Sequence, residues 1–96
     1  MVDQIPPQNI EMEQATLGAM LMSKSAIESV TDILSAEAFY RDAHRDVYNA
    51  ILSVSEDYAD VDLFSVQEAL KKANTLESSG GASYLVHLMQ IGRAHV

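Results

Sequence analysis

Residues 10–22, "IEMEQATLGAMLM", restrict the fold more than any other stretch of the chain, because after Glu13 the run carries no charge. At about 100° per residue, Ile10, Leu17 and Leu21 fall on one stripe, and Met12, Ala15, Ala19 and Met22 on another. A helix that is apolar nearly all round has no face to offer water, so other helices must enclose it. The chain is therefore expected to be built around this segment. Asn9 is expected to cap it, with Glu11 and Glu13 in the first turn, where negative charge suits the helix dipole. Residues 1–8, with Pro6 and Pro7, are expected to form an extended lead-in. Gly18 costs about 1 kcal/mol against Ala inside a helix. Its presence predicts a neighbouring helix at close approach.

The remaining pattern is also helical. Ser23 or Ser25 is expected to start a second helix, with Ser25 and Glu28 at capping-box spacing and Ile27, Val30 and Leu34 along one stripe. Ser35 opens a short turn whose Phe39 and Tyr40 are expected to plug the core. From Asp42 onward, His44, Val47, Ile51, Val54 and Tyr58 hold one helix face for four turns. The stretch "EDYADVD" breaks that face. Ser65 and Glu68 suggest a second capping box, opening a helix with Val66, Ala69, Leu70 and Ala73 turned inward. "NTLESSGG" reads as a connector in which Gly80 and Gly81 supply backbone freedom. "ASYLVHLMQ" completes the set as a short helix with Leu85, Leu88 and Met89 apolar. No two-residue alternation occurs, so the expected fold is all-α: a compact orthogonal bundle of about five short helices.

Composition narrows the function. Six Lys plus Arg against 14 Asp plus Glu give a net charge of −8. Gripping a nucleic-acid backbone needs the opposite balance, since that affinity comes from cations displacing counterions. With no cysteine, disulfides and thiolate metal sites are excluded. No apolar run approaches the roughly 20 residues of a membrane span, and "MVDQIPPQ" lacks a signal-peptide pattern, so a cytoplasmic protein is expected.

The one constellation that resembles chemistry is Asp42-x-His44-x-Asp46. On a helix, residues i and i+4 share a face while i+2 lies nearly opposite. Asp42 and Asp46 therefore align, and His44 points away from them along the stripe of Val47 and Ile51. A packed, hydrogen-bonded His44 is expected rather than a metal ligand or a base. No HExxH, phosphate-binding loop or GxSxG elbow occurs. No catalytic, cofactor-binding or metal-binding residue is assigned.

Three stretches in order then carry a resemblance. "IPPQNIEMEQATLGAMLM", "LSAEAFYRDAHRDVYNAI" and "VDLFSVQEALKKANTLESSGGASYLVHL" resemble successive signatures of DnaB-type replicative DNA helicases. These are a Pro-Pro followed by Glu-x-Glu-Gln and Leu-Gly; a Phe-Tyr before a His-led helix; and Val-Asp, a capped helix, Gly-Gly and Tyr-Leu. The resemblance implies the globular part of a helical, non-catalytic N-terminal domain over residues 9–90, without the helical hairpin that follows it in the family. It implies a collar of paired copies above a hexameric motor ring, docking of the primase C-terminal domain and of a helicase loader, and no cofactor in this segment. ATP and Mg²⁺ would belong to the motor domain alone. Leu17, Gly18, Phe39, His44, Val47, Ile51, Gly80 and Gly81 are read as structural, and no residue is singled out for partner contact.

The final "IGRAHV" departs from the family pattern, which continues through a Pro-Ser-Ala-like turn. It matches one reading frame of a common sequencing adapter, so residues 91–96 are expected to be a non-native tail on a truncated domain. Such a fragment is expected to be a monomer or weak dimer. The alternatives are a free-standing acidic helical regulator and a small hydrolase using His44.

Overall fold

The computed structural model describes residues 7–57 and 60–95. Five helices follow one another: α1 (Pro7–Met22), α2 (Lys24–Ile33), α3 (Asp42–Glu56), α4 (Leu63–Lys72) and α5 (Gly81–Ala94), with one 3₁₀ turn at Ala36–Ala38 between α2 and α3. No strand occurs among the described residues. The chain is an all-α bundle. Tyr58, expected to extend the α3 stripe, and residues 1–6 of the expected lead-in lie outside the described residues.

α1 occupies the centre, packing most extensively on α5 and also on α2 and α3. It begins earlier than expected, at Pro7, a residue suited to the first helical turn because its missing N–H would be unpaired there anyway. Asn9 is thus inside the first turn rather than capping it, and Glu11 and Glu13 fall in the second. The buried stripe of α1 contains Leu17, Met20 and Leu21, whereas Met12 and Met22 face solvent. Met20, absent from both expected stripes, is completely enclosed.

At α2 the structure chooses between the two expected caps, and at α4 the cap differs from expectation, for a common reason. Ser23, not Ser25, caps α2, its Oγ accepting from the Ala26 amide at 3.2 Å. At α4 the cap is Asp62: its carboxylate accepts from the Ser65 amide at 2.8 Å, while Ser65 Oγ accepts from the Asp62 amide at 2.9 Å. Ser65 is therefore the third helical residue, not the first, and Glu68 takes no part. In each case the earlier of two competent oxygens captured the free amides.

The core gathers Leu17, Met20, Leu21, Ile27, Phe39, Val47, Tyr48, Ile51, Val66, Leu70, Leu85 and Leu88. Phe39 and Tyr48 meet with ring centroids 5.2 Å apart. Tyr48 donates its hydroxyl to the Leu34 carbonyl at 2.6 Å, and burial raises its pKa above the ordinary phenol value. Tyr40, expected to plug the core beside Phe39, is 51% exposed. It directly follows Phe39 in extended backbone, which turns the two side chains apart. Ala73, expected to face inward, is the exposed C-cap of α4.

α5 is longer than the helix expected over "ASYLVHLMQ" and runs on through residues 91–94. Gly92 in that extension is buried against Gly18 of α1. A β-carbon on Gly18 would fall 2.0 Å from the Leu88 carbonyl oxygen, and one on Gly92 would fall 2.6 Å from the Gly18 backbone. The two helices touch main chain to main chain. Gly80, with φ of 108°, ends the connector in the left-handed region and serves as the N-cap residue of α5.

Candidate functional site

His44 is 0% exposed and lies in a polar line connecting three helices. Its position follows from the α3 face it shares with Val47, Ile51 and Val54, all buried. Nδ1 is 2.7 Å from Oε1 of Glu13 on α1, and Nε2 is 2.7 Å from the hydroxyl of Tyr84 on α5. The imidazole and phenol rings stack with an interplanar angle of 5°.

With a neutral imidazole, every hydrogen along the line has a place. Both Glu13 oxygens act as acceptors: Oε2 takes the Tyr40 amide at 2.8 Å, and Oε1 takes the His44 Nδ1–H. The other ring nitrogen is then an acceptor, filled by the Tyr84 hydroxyl. That hydroxyl in turn accepts from Gln14 Nε2 at 3.0 Å. No buried side-chain nitrogen or oxygen is left without a partner among the described residues. Buried polar groups are costly only when unpaired, so the closed line holds α1, α3 and α5 in register.

A carboxylate–imidazole–hydroxyl sequence is also the order of parts in nucleophilic catalysis, where a base activates a hydroxyl. Here the hydroxyl belongs to a half-buried tyrosine that both donates and accepts within the protein. Both imidazole nitrogens are occupied, and no exposed ring atom meets a substrate. Gln14, at the outer end, borders a shallow hollow shared with Glu11, Arg41 and Ile91, and Glu13 borders a second one with Met12, Thr16 and Phe39.

The acids flanking His44 in sequence stand elsewhere. The Asp42 side chain is 93% exposed and accepts from Arg45 at 3.0 Å. Arg45 also donates Nε to the Phe39 carbonyl at 2.8 Å, so the charged side of α3 tethers the turn before it. Among the described residues, no group of three or more His, Asp or Glu side chains is placed to hold a metal ion.

Leu17, Phe39, Val47 and Ile51 lie in the core with His44, Gly18 lies in the α1–α5 contact, and Gly80 and Gly81 adopt φ of 108° and 74°. Sequence reasoning missed Glu13 and Tyr84. The signal for Glu13 was present: it stands four residues before Leu17 and seven before Met20, on the buried stripe. Tyr84 likewise stands four residues before the buried Leu88.

The comparisons agree along nearly the whole chain. A family model described as DnaB-like helicase N terminal domain matches residues 5–93. Replicative DNA helicase DnaC of Bacillus subtilis (strain 168) is 42% identical over 86 residues, covering 90% of this chain and 19% of that protein. Replicative DNA helicase DnaB of Rhodothermus marinus is 43% identical over 84 residues, covering 88% of this chain and 9% of that protein. The crystal structure of the N-terminal domain of DnaB helicase from Mycobacterium tuberculosis matches with a TM-score of 0.86 at 40% identity, covering 91% of this chain and 60% of that one. The chain thus spans about a fifth or less of the curated relatives' length.

Proposed function

The chain belongs to the DnaB-like helicase N-terminal domain family, and from that premise we propose that it is a non-catalytic assembly and docking module of a replicative DNA helicase. In this reading it pairs with other copies of itself in the collar of a hexamer and receives the primase C-terminal domain and a helicase loader. The parent protein unwinds duplex DNA in the cytoplasm with ATP and Mg²⁺, which its motor domain binds.

The observation that supports a non-catalytic role is the closed line Glu13–His44–Tyr84. The groups best suited to chemistry are all hydrogen-bonded within the protein, to one another and to the Tyr40 amide and Gln14. The net charge of −8 also suits protein contacts better than a grip on phosphates. No helix among the described residues is long and apolar enough to cross a membrane.

Calorimetric titration of the full N-terminal domain of the parent with the primase C-terminal domain tests the docking role. Saturable binding is expected, and heat no greater than dilution would remove primase as the partner. Sedimentation of the 96-residue chain tests the assembly role. A monomer or weak dimer is expected, and a stable hexamer would overturn the view that further segments are needed to close the ring.

A further inference from the structure

The corner where α3 ends and α4 begins combines an apolar side chain in water with an unusual distribution of charge. Phe64, in the first turn of α4, is 70% exposed. It stands at one end of an open groove of about 510 Å³ between α3 and α4, which Val54, Asp57, Glu68, Ala69 and Lys72 also line. Phe64, Glu68 and Lys72 follow at four-residue intervals, so one face of α4 presents ring, carboxylate and ammonium in turn.

The α3 side has an electrostatic deficit. Its C-terminus carries the negative end of the helix dipole, yet Glu56 is its last residue, Asp57 is its C-cap and no basic residue occupies its last turn. Acids at that end are unfavourable, whereas a cation there is stabilising. Asp60 and Asp62 add two exposed carboxylates before α4. The basic residues, Lys71 and Lys72, sit at the far end of α4, and Lys71 contacts Glu68 at 3.5 Å.

We propose that this groove docks a basic amphipathic segment of a partner protein. An apolar side chain of the segment lies against Phe64, and its Lys or Arg residues face Glu56, Asp57 and the carbonyl end of α3. Charge complementarity selects this occupant. The same groove on a second copy would set like carboxylates against these, and nucleic acid or an anionic lipid surface is repelled likewise. The inference rests on this face alone and is independent of the collar reading.

The test uses the ¹⁵N-labelled 96-residue chain and two synthetic amphipathic peptides, each with leucines on one face and either arginines or glutamates flanking them. With the arginine peptide, amide shifts are expected at Ser53, Asp57, Phe64 and Glu68, weakening as salt rises. Phe64→Ala is expected to weaken binding at least about tenfold, the scale of a buried anchor. Glu56→Lys combined with Asp57→Lys is expected to abolish it. All three positions are exposed, so these variants keep the fold. Equal binding of the glutamate peptide, or of the arginine peptide by Phe64→Ala, overturns the proposal. So do shifts mapping to another face, or concentration-dependent shifts at this groove without peptide, which would assign it to a second copy.

Discussion

The α1–α5 contact and the α3–α4 groove are both helix pairs of one small bundle, and they are finished in opposite ways. At the first, two glycines bring the backbones together with no space for a methyl group, and the Glu13–His44–Tyr84 line closes beside it. At the second, an aromatic ring remains in water over an open groove. The first region loses packing with any added or removed atom. The second has surface that the fold does not need. A closed region explains why the chain folds, and an unfinished one points to what it meets.

The strongest way to break that comparison is at Gly18. A side chain there meets the Leu88 carbonyl and the Gly92 backbone, neither of which moves without displacing α5. Gly18→Val is expected to lose about 5 kcal/mol, close to the whole stability of a small domain. Circular dichroism during urea denaturation reads the loss, and a midpoint near that of the unaltered chain would mean the helices do not touch as described.

The two phenylalanines sharpen it next. Phe39 is 2% exposed and Phe64 is 70% exposed. Phe39→Ala is expected to cost about 3 to 4 kcal/mol through lost burial and the cavity left behind. Phe64→Ala is expected to stay within about 0.5 kcal/mol. Thermal melts of the two variants check the contrast. Comparable losses would place Phe64 in the core and remove the groove as a docking surface.

Much of this division was legible in the sequence. The periodicities of α1 and α3 gave the central helix, the buried stripe of Val47, Ile51 and Val54, and the inward turn of His44, because a 3.6-residue repeat dictates facing whatever the partners are. Gly18 flagged a close approach for the same kind of local reason. What the approach met was not legible, since Gly92 lies 74 positions further along. Where two oxygens compete for the same free amides the sequence leaves a helix start open, as with Ser23 against Ser25, or misplaces it, as with Asp62 against Ser65. Glu13 is expected in the first turn as a partner of the helix dipole, a reading of its charge that leaves out its phase on the buried stripe. Its partners are His44 on α3 and the Tyr40 amide just before that helix, and no local rule pairs residues separated by 27 or 31 positions. The exposure of Phe64 carries no stated expectation, although its phase sets it with Glu68 and Lys72, nearly opposite the buried Val66.

The polar line offers a finer test of the closed region. His44→Leu removes the imidazole from between Glu13 and Tyr84, leaving a carboxylate oxygen and a hydroxyl without their buried partner. The expected loss is about 3 kcal/mol, because the stranded groups cost more than their bonds contributed. Tyr84→Phe leaves His44 bonded to Glu13 and is expected to cost about 1 kcal/mol. Chemical denaturation of both variants and of the double variant measures the coupling. Strictly additive losses would show that the line does not act as a unit.

The smallest expected effect lies at the start of α4 and concerns pH. The Asp62 carboxyl is held below its ordinary value of 3.8, chiefly by the Ser65 amide it caps and then by the Ser65 hydroxyl. A depressed folded-state pKa means that the unfolded chain binds the proton more readily. The cap's contribution is therefore fully present above the ordinary aspartate range and is lost as pH falls through the depressed value. Asp62→Asn keeps an oxygen acceptor for the Ser65 amide but does not titrate. Its stability near neutral pH is expected to lie close to that of the unaltered chain, while its loss between pH 5 and pH 2 should be shallower. Urea midpoints measured across that interval decide the matter. Identical acid slopes for the two proteins would mean that the cap is not formed, and that the α4 start is as unfinished as the groove beside it.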